Sequence, residues 1–539
     1  MSAGPDVTEA GRPAIIMGDR CLSYGELDGQ VTRLAHALRS WMRPGERLCL
    51  LLETCPEYLI TCLAAARAGI DYTPVNVQLT PAEAAYIIND SGARVVVASA
   101  GVASLASAVV ELTPRVRERL VVGGPLDGHL PFERALDGRP ADPFVTATPG
   151  RAVVYSSGTT GRPKGILPAR PPAADARDWF ESLLSGHLGV TPDSVTLTPG
   201  PLYHGAPLRW SLATLGLGAT LVLLPRFERR ALLETIERHG VTQVQLVPAM
   251  MLRVLKLPPE VRAGYDLSTL VAVMHTAAPC PREVKAAWID WLGELVWDVY
   301  TCSEGFGHVL ISAAEWRERP GSVGRPVDCE IHACDADGNV LPPGKGGVLW
   351  YSGERGAPVA RPIRYHDAPE KTAALYDDRG WATVGDIGHV DEHGYVHLTD
   401  RGADVIVAGG VNIYPRETED ALLSHPAVAD AAVIGAPDPL MGERVRAVVE
   451  PVDPALAGPR LAADLLAFCR TRIAGFKCPR DLEFVDRLPR GADGKLRRQL
   501  LRDAHREAAT RNPVAAAPGA GFTAGRADVG GPAAMTPGE

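Results

Sequence analysis

Short apolar runs alternating with amphipathic helical stretches constrain this chain more than any other feature of its sequence. From Tyr24 to Trp41, Leu27, Val31, Leu34, Ala35 and Leu38 fall on one helical face. Arg47 to Leu52 reads as a strand, Pro56 to Ala68 as a second, largely apolar helix, and Arg94 to Ala98 as another strand. Between them Thr80 caps a helix predicted over Pro81 to Asp90. This alternation over residues 14–110 predicts a parallel sheet covered by helices on both faces. The Gly-, Pro- and Asp-rich segment 122–149 reads as an irregular connection, and Ala173 to Leu188 as a helix. The rhythm then resumes to residue 310, with strands at Thr220–Leu224 and Gln243–Val247.

From 320 to 400 short strands and tight turns (Asp337-Gly338, Pro342-Pro343-Gly344, Glu392-His393-Gly394) predict a small β-rich subdomain. Past 400–404 a separate α+β pattern begins. It has helices at 416–424 and 461–474 and strands at Ala431–Ile434 and Val445–Glu450. The expected fold class is therefore α/β: a large N-terminal domain of helix-covered sheets with a β-rich subdomain, followed by a small α+β C-terminal domain. The Ala-, Gly- and Pro-rich stretch 511–539 lacks bulky apolar residues and is expected to be disordered.

At 539 residues, with 46% hydrophobic and 22% charged content, the chain has the composition of a soluble globular protein with a large core. A net charge of −9 speaks against nucleic acid as a partner, because a phosphate backbone calls for a basic face. Ten scattered cysteines form no C-x-x-C pair and read as reduced, buried thiols. The opening residues carry no basic-then-apolar leader and no apolar run is long enough to span a bilayer, so a cytoplasmic protein is expected.

The stretch Tyr155-Ser156-Ser157-Gly158-Thr159-Thr160-Gly161-Arg162-Pro163-Lys164-Gly165 follows the apolar run Ala152 to Tyr155. Glycines let the backbone bring its N–H groups to an anion, the hydroxyls add donors, and Lys164 adds a compact positive charge. It is a phosphate cradle, most naturally for a triphosphate. It is not the common P-loop, since Arg162-Pro163 separate Gly161 from Lys164 and Gly165 replaces the metal-holding hydroxyl.

Further segments lie downstream in order: Pro201-Leu202-Tyr203-His204-Gly205-Ala206-Pro207, His275-Thr276-Ala277-Ala278-Pro279-Cys280-Pro281, Asp298-Val299-Tyr300-Thr301-Cys302-Ser303-Glu304-Gly305, Gly380 to Asp386, Asp400 to Asp404, Gly409 to Pro415, and Leu488 to Leu496. Taken with the cradle, the chain resembles the adenylate-forming enzymes, and within them the bacterial acyl-CoA synthetase branch. The resemblance runs from residue 14 to 503. It implies an N-terminal adenylate-forming domain over 1–400, a hinge at 401–404, and a mobile C-terminal domain over 405–510.

By that resemblance ATP is bound by Ser156, Ser157, Gly158, Thr159, Thr160, Gly161 and Lys164, with Ala277, Ala278 and Pro279 also among the cofactor-binding residues. Tyr300 stacks on the purine, Asp298 accepts from its amine, and Ser303 donates to the α-phosphate. Glu304, with Thr159, holds magnesium. Asp386 takes the ribose hydroxyls and Arg401 the ribose or phosphate. Lys495 reaches in from the C-terminal domain to bridge the acid and the α-phosphate, while Gly409 and Gly410 line the path of the pantetheine arm. Lys164, His204 and Lys495 form the expected catalytic set, His204 lying near the acid's carboxylate or gating its pocket. Tyr203, Trp210, Val247, Met250, Ala277 and Cys302 are expected acyl-pocket walls.

Three departures accompany this pattern: Thr301 stands in place of a usual glycine, Val384 in place of a usual threonine, and Ala403 in place of the usual Asp or Lys at the hinge pivot. The expected reaction consumes ATP with Mg2+ to make an acyl-AMP and passes the acyl group to coenzyme A. The acid would be aromatic, polycyclic, or a medium-to-long fatty acid. A homodimer and a downstream acyltransferase or carrier protein are further expected partners. An amide synthetase, a carrier-protein loading ligase and a non-catalytic nucleotide-binding regulator are the rival readings.

Overall fold

The computed structural model describes residues 10–511 apart from 143–145, 147, 157–162, 169–178, 361, 402–403, 409–410, 414, 439–441, 474 and 492–493. The first predicted helix forms over Tyr24–Trp41, where Ser23 and Glu26 close a reciprocal capping box. Thr80 and Glu83 do the same for helix Pro81–Asp90. Each such cap is worth about 1 kcal/mol. Helix Pro56–Ala68 stops at Gly69, whose φ of 72° no branched residue would take cheaply.

These helices flank a five-stranded sheet whose strands Asp71–Pro74, Arg47–Leu51, Val95–Ser99, Glu118–Val122 and Leu130–Pro131 all run parallel. The segment expected to be irregular contributes the last of them and a short helix, Phe132–Leu136, whose Phe132 and Ala135 are buried. Burying that aromatic ring outweighs the local turn chemistry. The helix expected over 173–188 is described from Trp179 to Gly186, and residues 173–178 lie outside the described residues.

A second, nine-stranded sheet carries the chain's middle. Its centre is a parallel run in the order Val296–Thr301, Ala272–Thr276, Gln243–Leu246, Val195–Thr198, Thr220–Leu223. Leu197, Val222, Val244, Leu246, Val273 and Val296 face one core from these strands. The β-rich region is a four-stranded antiparallel sheet of Glu330–Cys334, Gly347–Ser352, Asp386–Val390 and Val396–Arg401. A further sheet begins at Ile406–Ala408 and gathers Val411–Ile413, Gly442–Pro451, Val428–Asp438 and Asp481–Phe484. It has its own core of Ile406, Leu422, Val433, Val449 and Leu465.

The cysteines are free thiols, but not uniformly buried: Cys21 is exposed and Cys55, Cys280 and Cys329 are half-buried. Cys21 lies in the short edge strand Arg20–Ser23, which the core does not cover. No helix among the described residues is long and apolar enough to cross a membrane.

Candidate active site

Ligands of open α/β sheets bind beyond the carboxyl ends of the parallel strands, and the expected site residues gather at that edge. Tyr203 and His204 follow strand Val195–Thr198, Val247 and Met250 follow Gln243–Leu246, Ala277 follows Ala272–Thr276, and Cys302, Ser303 and Glu304 follow Val296–Thr301. Ala277 has φ of 73°, a left-handed conformation that costs an alanine about 1 kcal/mol. Just before it, the Thr276 hydroxyl donates to the carbonyl of Val299 at 2.6 Å, binding the two strand ends together. Strain of this kind, held by its surroundings, gathers where a ligand is gripped.

Tyr300 and Asp386 come from strands of different sheets and meet: the Tyr300 hydroxyl donates to Asp386 Oδ2 at 2.6 Å. The Tyr351 hydroxyl donates in turn to that of Tyr300 at 2.8 Å. Burial, reinforced by the Asp386 charge, holds the Tyr300 phenol protonated far above its ordinary range, so it remains a donor. An aromatic ring and a carboxylate held side by side can take a purine and a ribose together. Gly385, with φ of 78°, turns the chain into Asp386, and the Thr383 hydroxyl accepts from its N–H at 3.1 Å. Thr383 thus steadies the turn beside Val384. Directly across the strand pair from Asp386 stands Arg401.

The stretch expected to cradle phosphate is flanked by two antiparallel strands in which Ser156 pairs with Lys164. Ser157, Gly158, Thr159, Thr160 and Gly161 lie outside the described residues. Both arms are tied down. Tyr155 donates to Asp90 at 2.8 Å and Tyr86 donates to the Pro163 carbonyl at 3.1 Å. A β-carbon at Gly165 would stand 3.1 Å from the Tyr155 ring, a tight contact that favours glycine there. On the hairpin's other side runs strand Ile363–Tyr365, with Tyr365 opposite Ile166. The Tyr365 hydroxyl donates to Glu304 Oε1 at 2.8 Å. Thr301 donates to the carbonyl of Gly307 at 3.0 Å and closes the turn carrying Ser303 and Glu304. Ser303 is exposed there and Glu304 half-buried.

Asp298 differs from expectation. It is buried, and its carboxylate receives the ammonium of Lys285 while lying 3.5 Å from His275 Nδ1. Its side chain is therefore engaged by the protein's own cation instead of standing open to an adenine amine. His275 is fully buried, and burial pushes its imidazole down to about 4; Lys285 adds to this and Asp298 opposes it.

The expected acyl walls divide among different cores. Tyr203 lies edge-on to His204 with ring centroids 4.6 Å apart, and His204 sits at the N-cap of helix Gly205–Gly216. Trp210 on that helix is fully buried in core packing, so it supports the wall from behind and does not face an open pocket. Val247 and Met250 belong to a second core and Cys302 to a third, with Phe306 and Tyr351. Burial raises the Cys302 thiol to about 12, which keeps it neutral.

The C-terminal domain closes over this edge. A β-carbon on Gly494 would lie 3.2 Å from Val247 and 3.3 Å from Ala249, and its φ of 73° also favours glycine. Lys495 follows directly. Arg490 braces the loop, pairing with Asp430 at 2.8 Å and donating to the Gly494 carbonyl at 2.9 Å. Arg416 donates to the carbonyl of Pro279 at 3.0 Å, so the C-terminal domain touches a loop expected to bind the nucleotide. Gly409 and Gly410 lie outside the described residues. Tyr351, Tyr365, Lys285 and Arg416 carry no signal in the sequence that sets them apart from ordinary strand and helix residues.

Residues 6–359 match the family model of the AMP-binding enzyme, and 417–495 that of the AMP-binding enzyme C-terminal domain. A feruloyl-CoA synthase of Amycolatopsis sp is 35% identical over 487 residues, covering 90% of this chain and 94% of that protein. Among solved structures, the anthranilate CoA ligase AuaEII in complex with anthranoyl-AMP superposes with a TM-score of 0.80 at 27% identity, over 94% of this chain and 96% of that one. The amide bond synthetase McbA from Marinactinospora thermotolerans superposes with a TM-score of 0.78 at 28% identity, over 92% and 98% of the two chains.

Proposed function

This chain belongs to the AMP-binding enzymes, and from that premise we propose that it joins an aromatic carboxylic acid to coenzyme A by way of an acyl-adenylate. The observation that carries the reading is the Tyr300–Asp386 hydrogen bond, which makes one nucleoside seat from residues 86 positions apart. The relatives that act on ferulate and anthranilate support an aromatic acid.

In the first half-reaction a carboxylate oxygen of the acid bonds to the α-phosphorus of ATP, and the bond from that phosphorus to the bridging oxygen breaks, releasing pyrophosphate. Tyr300 and Asp386 seat the nucleoside, and the hairpin presents Lys164 to the phosphates. Lys495 enters from the C-terminal domain to hold the two anions together as charge moves onto the leaving group. Glu304 suits magnesium, an ion that keeps several waters and takes its remaining ligands from phosphates; it would supply charge neutralisation at the pyrophosphate. In the second half-reaction the thiol sulfur of coenzyme A bonds to the acyl carbon and AMP leaves. For that step the C-terminal domain turns about residues 401–404 and withdraws Lys495.

A second reading is favoured by the likeness to McbA: the same acyl-adenylate passed to an amine. A panel of aromatic, polycyclic and fatty acids, assayed for acid-dependent pyrophosphate release, tests the first half. Product mass with coenzyme A or with amines decides the second. Failure to release pyrophosphate with any acid would overturn the reading.

A further inference from the structure

Glu304 stands on a turn and projects from it half-buried. A carboxylate on a turn can rotate and present either oxygen, or both, to a ligand. Here one oxygen is already committed. The Tyr365 hydroxyl donates to Oε1 at 2.8 Å. Tyr365 is itself fixed. Its backbone N–H donates to the Thr372 hydroxyl at 2.9 Å, and its strand is paired to the phosphate hairpin with Tyr365 opposite Ile166. One residue on, the His366 N–H donates to the carbonyl of Gly165, the neighbour of Lys164, at 2.8 Å. The strand that holds Glu304 is thus hydrogen-bonded to the strand that presents Lys164.

We propose that Tyr365 is a positioning residue for metal–nucleotide binding: it occupies Glu304 Oε1, leaves Oε2 to meet the divalent cation through a single oxygen, and fixes that oxygen relative to the phosphate hairpin. The inference rests on the reading of Glu304 as the metal carboxylate. A hydrogen-bonded ligand oxygen is oriented before the ion arrives, and loss of such an outer partner typically costs about 10- to 100-fold in metal affinity. The hydroxyl's reach is what matters, since the ring would still fill its place in a phenylalanine variant.

The test uses the full-length enzyme and Mn2+, titrated by electron paramagnetic resonance in the presence of a non-hydrolysable ATP analogue. Tyr365→Phe should weaken Mn2+ binding about tenfold. It should raise the Mg2+ concentration needed for half-maximal pyrophosphate release, leaving the rate at saturating Mg2+ and the KM for the acid little changed. In a Glu304→Gln background the same substitution should change Mn2+ binding no further, because both act through one carboxylate. Unchanged Mn2+ binding in Tyr365→Phe, with a loss in Glu304→Gln, would overturn the role of Tyr365 and leave Glu304 as the ligand. Additive losses in the double variant would equally overturn it, marking a general structural effect. Unchanged binding in both single variants would overturn the assignment of Glu304 and, with it, this proposal.

Discussion

Ala277 pays for its position in backbone strain, at φ of 73° where glycine would sit freely. Replacing it by glycine should stabilise the protein by about 1 kcal/mol, read as a higher urea midpoint. The buried imidazole of His275 has a pH signature of opposite origin. Its value of about 4 in the fold lies below the ordinary 6.5, so as pH falls through that window the unfolded chain takes up the proton first. Stability should therefore drop from pH 6.5 towards 4 and lose nothing further to this group below 4. The full loss is on the order of 3 kcal/mol. Urea midpoints measured across that range should flatten in His275→Leu.

At the scale of elements, the loop Leu488 to Leu496 meets the helix Pro248–Leu255 through Gly494, whose φ of 73° and tight contacts with Val247 and Ala249 both favour glycine. Gly494→Ala should lower pyrophosphate release about tenfold or more, in line with the cost of misplacing a catalytic group by a fraction of an ångström. Circular dichroism should show the C-terminal domain still folded. Elements such as Tyr24–Trp41, Pro56–Ala68 and Pro81–Asp90 were readable from residues alone because their caps and apolar stripes are local. Of the strands that lead to the carboxyl-edge residues, Gln243–Leu246 is legible from its own residues; the residues beyond the other strands are placed by their resemblance to family motifs. What could not be read is tertiary. The grip of Tyr351 on Tyr300 joins residues 51 positions apart, and that of Tyr365 on Glu304 joins residues 61 apart. Asp298 is expected to accept from an adenine amine, but Lys285, from the helix Arg282–Leu292, closes on it. Trp210 has the chemistry of a pocket wall, and only packing assigns it to the core.

At the scale of the molecule, two cores of different parentage meet at the carboxyl edge. Besides Gly494 and Arg416, Arg472 pairs with Glu283 at 3.2 Å and Lys256 donates to the carbonyl of Val428 at 3.3 Å. An exposed ion pair such as Arg472–Glu283 contributes only about 0–1 kcal/mol, which fits the proposed swing. Lys495→Ala should therefore separate the two half-reactions. Adenylation should fall by a hundredfold or more, about the cost of losing a preorganised charge at a developing anion. Thioester formation from supplied acyl-AMP should stay close to that of the parent enzyme. Equal losses in both assays would refute the swing.

The placement of Arg401 opposite Asp386 has a mechanical corollary. Adjacent strands lie about 5 Å apart, so the proposed rotation about residues 401–404 would have its axle beside Asp386, the carboxylate proposed for the ribose. Points near an axle trace short arcs while a distant rim sweeps a long one. The adenylate can then stay berthed and barely stirred as the far loop travels, and the reactive anhydride need never be let go between the two bond-forming events.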